Sequence, residues 1–466
     1  MKKTSLLVIT LLSALCTAFG QMNITIQVED LSIPIDSIRI FGYDHGKSVQ
    51  LYAEAYQPSI VIKDKQSLEP GIYWIMIDST SFLDAFIISD TKKQEFSVKI
   101  NKEGSVYQNS KENTLYHEYM ADIQVFDDRS AALDKEFKDA QNGGIPSYML
   151  TVFVDSLMAK ATRISTEKIA FQKQKAAETK GLLLSSVIRL NTSAPDPTRE
   201  EIKTQEMYQK YVVEHYFDNF PWDDPRIFNT MLCENAIKQF NNIIYQLDRP
   251  ELDTFIVAAI RASMVNKTSF NTFFDKVEKV LGSHVSPYKV EHTYIEMLKA
   301  ALSYPNLEAA RKVRYERELS IINKNLTGSK VPNFNIRLSN GESTSFYDIQ
   351  SKYTLLYLQH PTCPTCREVR GRMANYPILN KAIADGKLKV VTVYFEQDEE
   401  IWNNYIHSPE ANPSYIHGWN YDGTIEQQDL FDTRTIPFMF LLDENKNVIR
   451  KDLLVNEIED YVSKLQ

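Results

Sequence analysis

Cys363 and Cys366 stand in the run His360-Pro361-Thr362-Cys363-Pro364-Thr365-Cys366. Two thiols three residues apart lie about one helical turn apart on one face, close enough to close and reopen an intramolecular disulfide. The run follows a buried-strand pattern and opens a helical one. At a helix N-terminus Cys363 faces unpaired backbone N–H groups and the positive end of the macrodipole, which stabilise a thiolate and lower its pKa. Pro364 suits the first turn, where it needs no N–H partner and its φ is preset. In this geometry Cys363 is the attacking thiol and Cys366 the resolving one.

Other roles for the pair have weaker support. A structural zinc site needs two more thiolate or imidazole ligands, and neither a second close Cys pair nor a Cys-His spacing is present. The eight histidines are scattered, and c-type haem attachment needs His after Cys366, where Arg367 stands. A static disulfide remains open, although a bridge across so short a loop removes little chain entropy. Cys233, inside the helical pattern Met231 to Phe240, reads as a small buried apolar residue. In Trp222-Asp223-Asp224-Pro225-Arg226, Asp224 reads as the cap of a helix whose first turn holds Pro225.

The elements that position the dithiol form the last of three segments. From Asn23 to about Ile100 apolar and polar residues alternate, as at Ile24, Ile26, Val28 and at Phe96, Val98, Ile100, with turns such as Pro70-Gly71 between the runs. This predicts a small antiparallel β-sandwich or barrel over 21–110. Helical periodicity then takes over in Tyr148 to Ala159, Glu167 to Ala177, Lys203 to Tyr216, Glu251 to Met264 and Leu307 to Ile322, implying an all-α domain over 111–325. Over 326–466 the order is β-α-β-α-β-β-α with extra material at each end. Tyr353 to Gln359 and Lys389 to Phe395 read as buried central strands, Phe438 to Leu442 and Val448 to Arg450 as a hairpin, and Glu457 to Leu465 as the last helix. The expected fold class is multi-domain: all-β sandwich, all-α domain, α/β domain.

Composition bounds the partners. With 52 Lys and Arg against 61 Asp and Glu, the net charge is -9, which argues against nucleic acid. Four cysteines in 466 residues are too few for a disulfide scaffold. Lys2 and Lys3, the apolar run Leu6 to Leu15, and the small residues Ala18 and Gly20 before Gln21 predict a signal peptide over 1–20 and a periplasmic or cell-envelope location. Lipid anchoring at Cys16 is the less favoured alternative, since Leu15 fits a lipobox poorly. In neither case does the mature chain span the membrane.

From Gly328 onward the sequence resembles the thioredoxin-fold domains of the TlpA-like, alkyl-hydroperoxide-reductase/thiol-specific-antioxidant superfamily of secreted thiol-disulfide oxidoreductases. The resemblance is carried by Val331-Pro332-Asn333-Phe334, by Tyr353 to Gln359 with the Cys pair, and by Ile436-Pro437-Phe438-Met439-Phe440-Leu441-Leu442-Asp443. Tyr216-Phe217-Asp218, Trp222 to Arg226 and the β segment are similar to domains that accompany such modules in envelope proteins of anaerobic gut-type bacteria.

The resemblance implies a four- to five-stranded sheet flanked by helices. It also implies a cis Pro437 against Cys363 and Cys366, with the preceding backbone open to an extended substrate, and no cofactor. The partners implied are disulfide-containing envelope proteins and a membrane electron donor. Three positions depart from the family pattern. Thr362 replaces a frequent Trp, Tyr357 stands where thioredoxins bury an acid, and Val369 where TlpA-like members often carry Glu. His360, Glu368 and Glu396 are the substitute candidates for proton acceptor. A rival reading makes the chain an interaction protein with a redox-regulated or inert scaffold. Thiol peroxidase chemistry does not fit, because Leu356 and His360 occupy the Pro and Thr/Ser positions of that motif.

Overall fold

The computed structural model describes residues 22–29, 34–44, 46–78, 81–92, 94–144, 147–197, 202–244, 249–282, 291–434 and 436–465. The predicted signal peptide and Cys16 lie outside the described residues. Two compact units divide at Ala300/Ala301.

The first unit opens with eight strands: β1 (Met22–Val28), β2 (Ser37–Asp44), β3 (Lys47–Ala55), β4 (Ser59–Asp64), β5 (Gly71–Ile77), β6 (Ser81–Ile88), β7 (Gln94–Asn101) and β8 (Gly104–Gln108). They form two four-stranded sheets, ordered β4-β1-β7-β8 and β3-β2-β5-β6. The alternation of Ile24, Ile26 and Val28, and of Phe96, Val98 and Ile100, turns these side chains into one core shared with Ile40, Ile75 and Phe86 of the other sheet. The expected antiparallel sandwich needs one correction, since β1 and β7 pair in parallel, Met22 beside Gln94 and Val28 beside Ile100. Parallel neighbours need a long crossover, and here the intervening strands, including the whole second sheet, supply it.

Helices follow: α1 (Lys111–Asp139), α2 (Ser147–Glu178), α3 (Leu183–Leu190), α4 (Gln205–Glu214), α5 (Met231–Ile244), α6 (Arg249–Ser263), α7 (Lys267–Leu281) and α8 (Glu291–Leu302). Ser110 caps α1 by accepting the Asn113 N–H. The two helical runs Tyr148 to Ala159 and Glu167 to Ala177 are parts of one helix, α2. Sheet and helices are tied by buried polar contacts. Asn113 pairs with both backbone groups of Ile87 (2.7 and 3.0 Å), and Arg226 donates to the Ser89 carbonyl (3.0 Å). Asp224 caps the turn Pro225–Asn229, a 3-10 helix rather than an α-helix, with Pro225 in its first turn. Cys233 is fully buried in α5, and burial pushes its thiol up to about 12.

The second unit begins with α9 (Ala309–Ile322), assigned from sequence to the helical segment. Here α9 is fastened to the C-terminal sheet region by Glu318 with Arg434 (2.7 Å) and by the Lys451 ammonium donating to the Ile322 carbonyl (2.7 Å). Then come β9 (Asn335–Leu338), β10 (Ser343–Ser345), β11 (Tyr353–Leu358), α10 (Pro364–Met373), α11 (Pro377–Ala384), β12 (Leu388–Tyr394), α12 (Glu399–Ile406), β13 (Ile416–Trp419), α13 (Thr424–Gln427), β14 (Phe438–Leu442), β15 (Val448–Lys451) and α14 (Ile458–Ser463).

The sheet has seven strands, ordered β10-β9-β13-β12-β11-β14-β15, which enlarges the four to five that the resemblance implied. β11, β12 and β13 run parallel, and β14 is antiparallel to β11. Alternate residues of β11 feed two cores, Leu356 and Leu358 on one face, Leu355 and Tyr357 on the other, as a central strand covered on both sides requires.

β13 carries Gly418 because β9 packs tightly on it: a Cβ there would fall 2.9 Å from Ile336 Cδ1 and 3.2 Å from Ile336 Cβ. Gly418→Val is therefore expected to destabilise this unit by about 1–3 kcal/mol through overpacking, read as a lowered urea midpoint. An unchanged midpoint would show that β9 yields freely.

Candidate active site

The loop after β11 carries the sulfurs. Cys363 is the N-cap of α10, its backbone still extended (φ -67°, ψ 123°), and Pro364 takes the first helical position. The Cys363 sulfur accepts the backbone N–H of Cys366 (3.4 Å), and its carbonyl accepts the first intrahelical bond from Arg367 (3.0 Å). Neither cysteine is disulfide-bonded in this structure. Cys363 is partly exposed; Cys366, one turn on, is fully buried.

This asymmetry separates their acidities. Partial burial alone would raise the Cys363 thiol. The N–H of Cys366, the Cys366 thiol, the N–H of Thr365 and the charge of Arg370 together outweigh burial and bring it below its ordinary value. For Cys366 burial dominates and, helped by the neighbouring Cys363 sulfur, pushes the thiol up to about 12 against the opposing N–H of His360 and charge of Arg370. The expected outcome in iodoacetamide labelling is half-maximal alkylation of Cys363 below pH 9, with Cys366 unlabelled until far higher pH. Equal reactivity of the two thiols would contradict this electrostatic division.

Tyr357 fills the place of the thioredoxin acid, but as a neutral donor. It is fully buried, burial holds the phenol far above its usual range, and its hydroxyl donates to the Cys366 carbonyl (3.0 Å). It steadies the first turn of α10 and supplies no base. The three substitute acceptors are placed differently. His360 Nδ1 accepts the Thr362 N–H (3.2 Å), so Nε2 carries the proton and faces Glu396 at 3.3 Å. Both ring nitrogens are thus engaged, and Glu396 is engaged with them. Glu368 is exposed on α10.

Pro437 follows a cis peptide bond, Ile436-Pro437. The register pairs Phe438 with Leu358, which puts Pro437 level with Gln359 at the end of β11 where the chain enters the cysteine loop. Asp432 and Arg434, just upstream, form a carboxylate–guanidinium pair (2.9 Å) that Glu318 extends.

Two residues at this site were not singled out from sequence. Arg370, a buried cation (5% exposed), lies on α10 one turn beyond Cys366, and Glu410 pairs with it at 2.6 Å from the loop between α12 and β13. The i, i+4 spacing from Cys366 was the available signal, but a lone Arg in a helical pattern reads as solvated until burial is known. Among the described residues there is no cluster of His, Cys, Asp and Glu fit to hold a metal ion.

Comparison with known proteins agrees with this architecture. Residues 165–325 match the family model described as a domain of unknown function (DUF5106). The chain is similar to a thioredoxin-like protein from Bacteroides caccae, at 28% identity and a TM-score of 0.53, covering 58% of this chain and 98% of that one. It also matches the C-terminal domain of an uncharacterized protein from Bacteroides fragilis (31% identity, 30% of this chain and 99% of that one, TM-score 0.29). A third match is the thioredoxin domain of a thiol-disulfide oxidoreductase from Bacteroides vulgatus (21% identity, 30% and 96%, TM-score 0.27). No curated protein matches the sequence. The chain is similar to thioredoxin-like proteins in fold, and that likeness supports a redox role in general terms.

Proposed function

We propose that this chain is an extracytoplasmic thiol-disulfide oxidoreductase working through Cys363 and Cys366, with disulfide-containing envelope proteins as substrates and a membrane dithiol donor resupplying electrons. The observation that carries the reading is the pairing of a partly exposed, acidified N-cap thiol with a buried thiol one turn behind it. Cys363 thiolate attacks a substrate disulfide, forming a mixed disulfide and releasing one substrate thiolate, which takes up a proton. The negative charge on Cys363, which added to burial in holding Cys366 protonated, is then gone. Cys366 attacks the Cys363 sulfur as its thiolate, the bond from Cys363 to the substrate sulfur breaks, and the protein disulfide closes as the second substrate sulfur leaves and takes up the proton that Cys366 gave up. Two electrons pass to the substrate, and a donor dithiol returns them by the reverse exchange. Pro437, beside the entrance of the loop, borders the path of an extended substrate.

Insulin reduction with dithiothreitol as electron source tests the reading. Turnover by the wild type and a reversible Cys363–Cys366 disulfide support it; absence of both overturns it. A specific observation also favours a binding role for the first unit. A cleft of about 530 Å³ lined by Lys173, Lys180, Arg189, Asn219 and Asp223 lies within the segment matched by the DUF5106 model.

A further inference from the structure

Arg370 holds both sides of the cysteine loop together. Its guanidinium donates to the Gln359 side-chain oxygen, to the Pro361 carbonyl (3.1 Å) and to Glu410 Oε2 (2.6 Å), and it lies 5.0 Å from the centre of the Tyr405 ring. Gln359 and Pro361 flank His360 on the strand side of the loop, while Arg370 itself belongs to the helix that Cys363 caps. The other oxygen of Glu410 accepts from Arg367 Nε at 2.8 Å. One carboxylate thus serves two guanidinium groups, and the cluster keeps a net positive charge beside the sulfurs.

Stability does not account for this arrangement. Arg370 Nε and Gln359 Nε2 are buried without a protein partner, and a buried ion pair is seldom more stable than apolar residues of the same volume. Two further carboxylates stand nearby, Glu368 exposed on α10 and Glu396 facing His360 at 3.3 Å, while the buried titratable neighbours are neutral. His417 donates from Nε2 to the Asn412 carbonyl (2.9 Å) and accepts from Thr392 at Nδ1 (2.7 Å), and burial, with the charge of Arg370, holds it below its ordinary value. The phenols of Tyr357 and Tyr405 are held up by burial. Arg370, Glu410 and Arg367 therefore supply the fixed charge on this side of the pair.

We propose that Arg370 and Glu410 are positioning residues that set the reduction potential of the Cys363/Cys366 couple in opposite senses, Arg370 raising it and Glu410 lowering it. The inference rests on the exchange function proposed above. A buried cation stabilises sulfur that carries negative charge, which exists in the reduced state and vanishes when the disulfide closes. Favouring the reduced state makes a couple more oxidising. The charge of Arg370 lowers both thiols, as this requires. Glu410 screens that charge.

The test equilibrates the full chain with glutathione, in which protein dithiol and glutathione disulfide convert to protein disulfide and two glutathiones. The position is read by trapping the free thiols. Arg370→Met is expected to shift the equilibrium about tenfold toward the protein disulfide, which is about 30 mV for a two-electron couple. Glu410→Gln is expected to shift it several-fold the other way, and Arg370→Lys, which keeps the charge, to remain nearer wild type than Arg370→Met. If the wild type equilibrates but both charge-removing variants match it or move together, the inference fails. If Arg370→Met does not fold, Glu410→Gln decides alone, and a potential that is unchanged or lowered overturns the proposal. If the wild type does not equilibrate, the exchange function itself fails.

Discussion

Cys363→Ser is expected to lose insulin-reducing turnover by on the order of 10³-fold or more, because no other described sulfur is both reachable and acidified. Cys366→Ser is expected to fail differently. Its Cys363 still attacks but nothing resolves the adduct, so a mixed disulfide with substrate or glutathione accumulates and is visible by mass. The contrast matters more than either loss alone. A static structural bridge would make the two variants equivalent, with similar falls in stability and no adduct. Accumulation of an adduct on Cys366 in the Cys363→Ser protein would reverse the assigned roles.

Phe440→Ala is expected to destabilise the C-terminal unit by about 3–5 kcal/mol, the cost of an unfilled cavity at a buried aromatic. Phe440 is 1% exposed, lies opposite Leu356 in the register of β14 on β11, and packs against Phe431 and Phe438 at ring separations of 5.5 and 4.9 Å. Because β11 leads directly into the cysteine loop, the variant is also expected to label faster at Cys366 under native conditions, through more frequent opening. A urea midpoint shift equivalent to less than about 1 kcal/mol would show that this layer repacks, and protection of Cys366 would then remain as in the wild type.

Much of this was legible in the sequence where one physical demand dominated a segment. The strands β1, β7 and β11 announce themselves because a covered or half-covered strand must alternate or run apolar, and the start of α10 because Pro364 tolerates only a first turn. The multi-domain class follows from the change of period along the chain. What escaped detection depended on partners remote in sequence. β13 is Ile-His-Gly-Trp, too short and too poor in β-branched residues to be read as a strand, and its Gly418 makes sense only once Ile336 is seen against it. The parallel pairing of β1 with β7 leaves no local mark, since alternation is the same in either direction. Arg370 and Glu410 look like ordinary surface charges until the loop between α12 and β13 is folded over α10. The dithiol was visible from its spacing; the charges around it were not.

The placement of β1 also has a consequence for how the protein is made. It is the earliest described segment to leave the ribosome, yet it belongs in the middle of its sheet, with β4 on one side and β7 on the other. The nascent chain can offer it β4 first, but Gln94 to Ile100 must emerge before its second edge is covered. Until then an apolar ribbon waits with open hydrogen-bonding groups, so chaperones that meet the nascent chain have a defined interval in which to hold it.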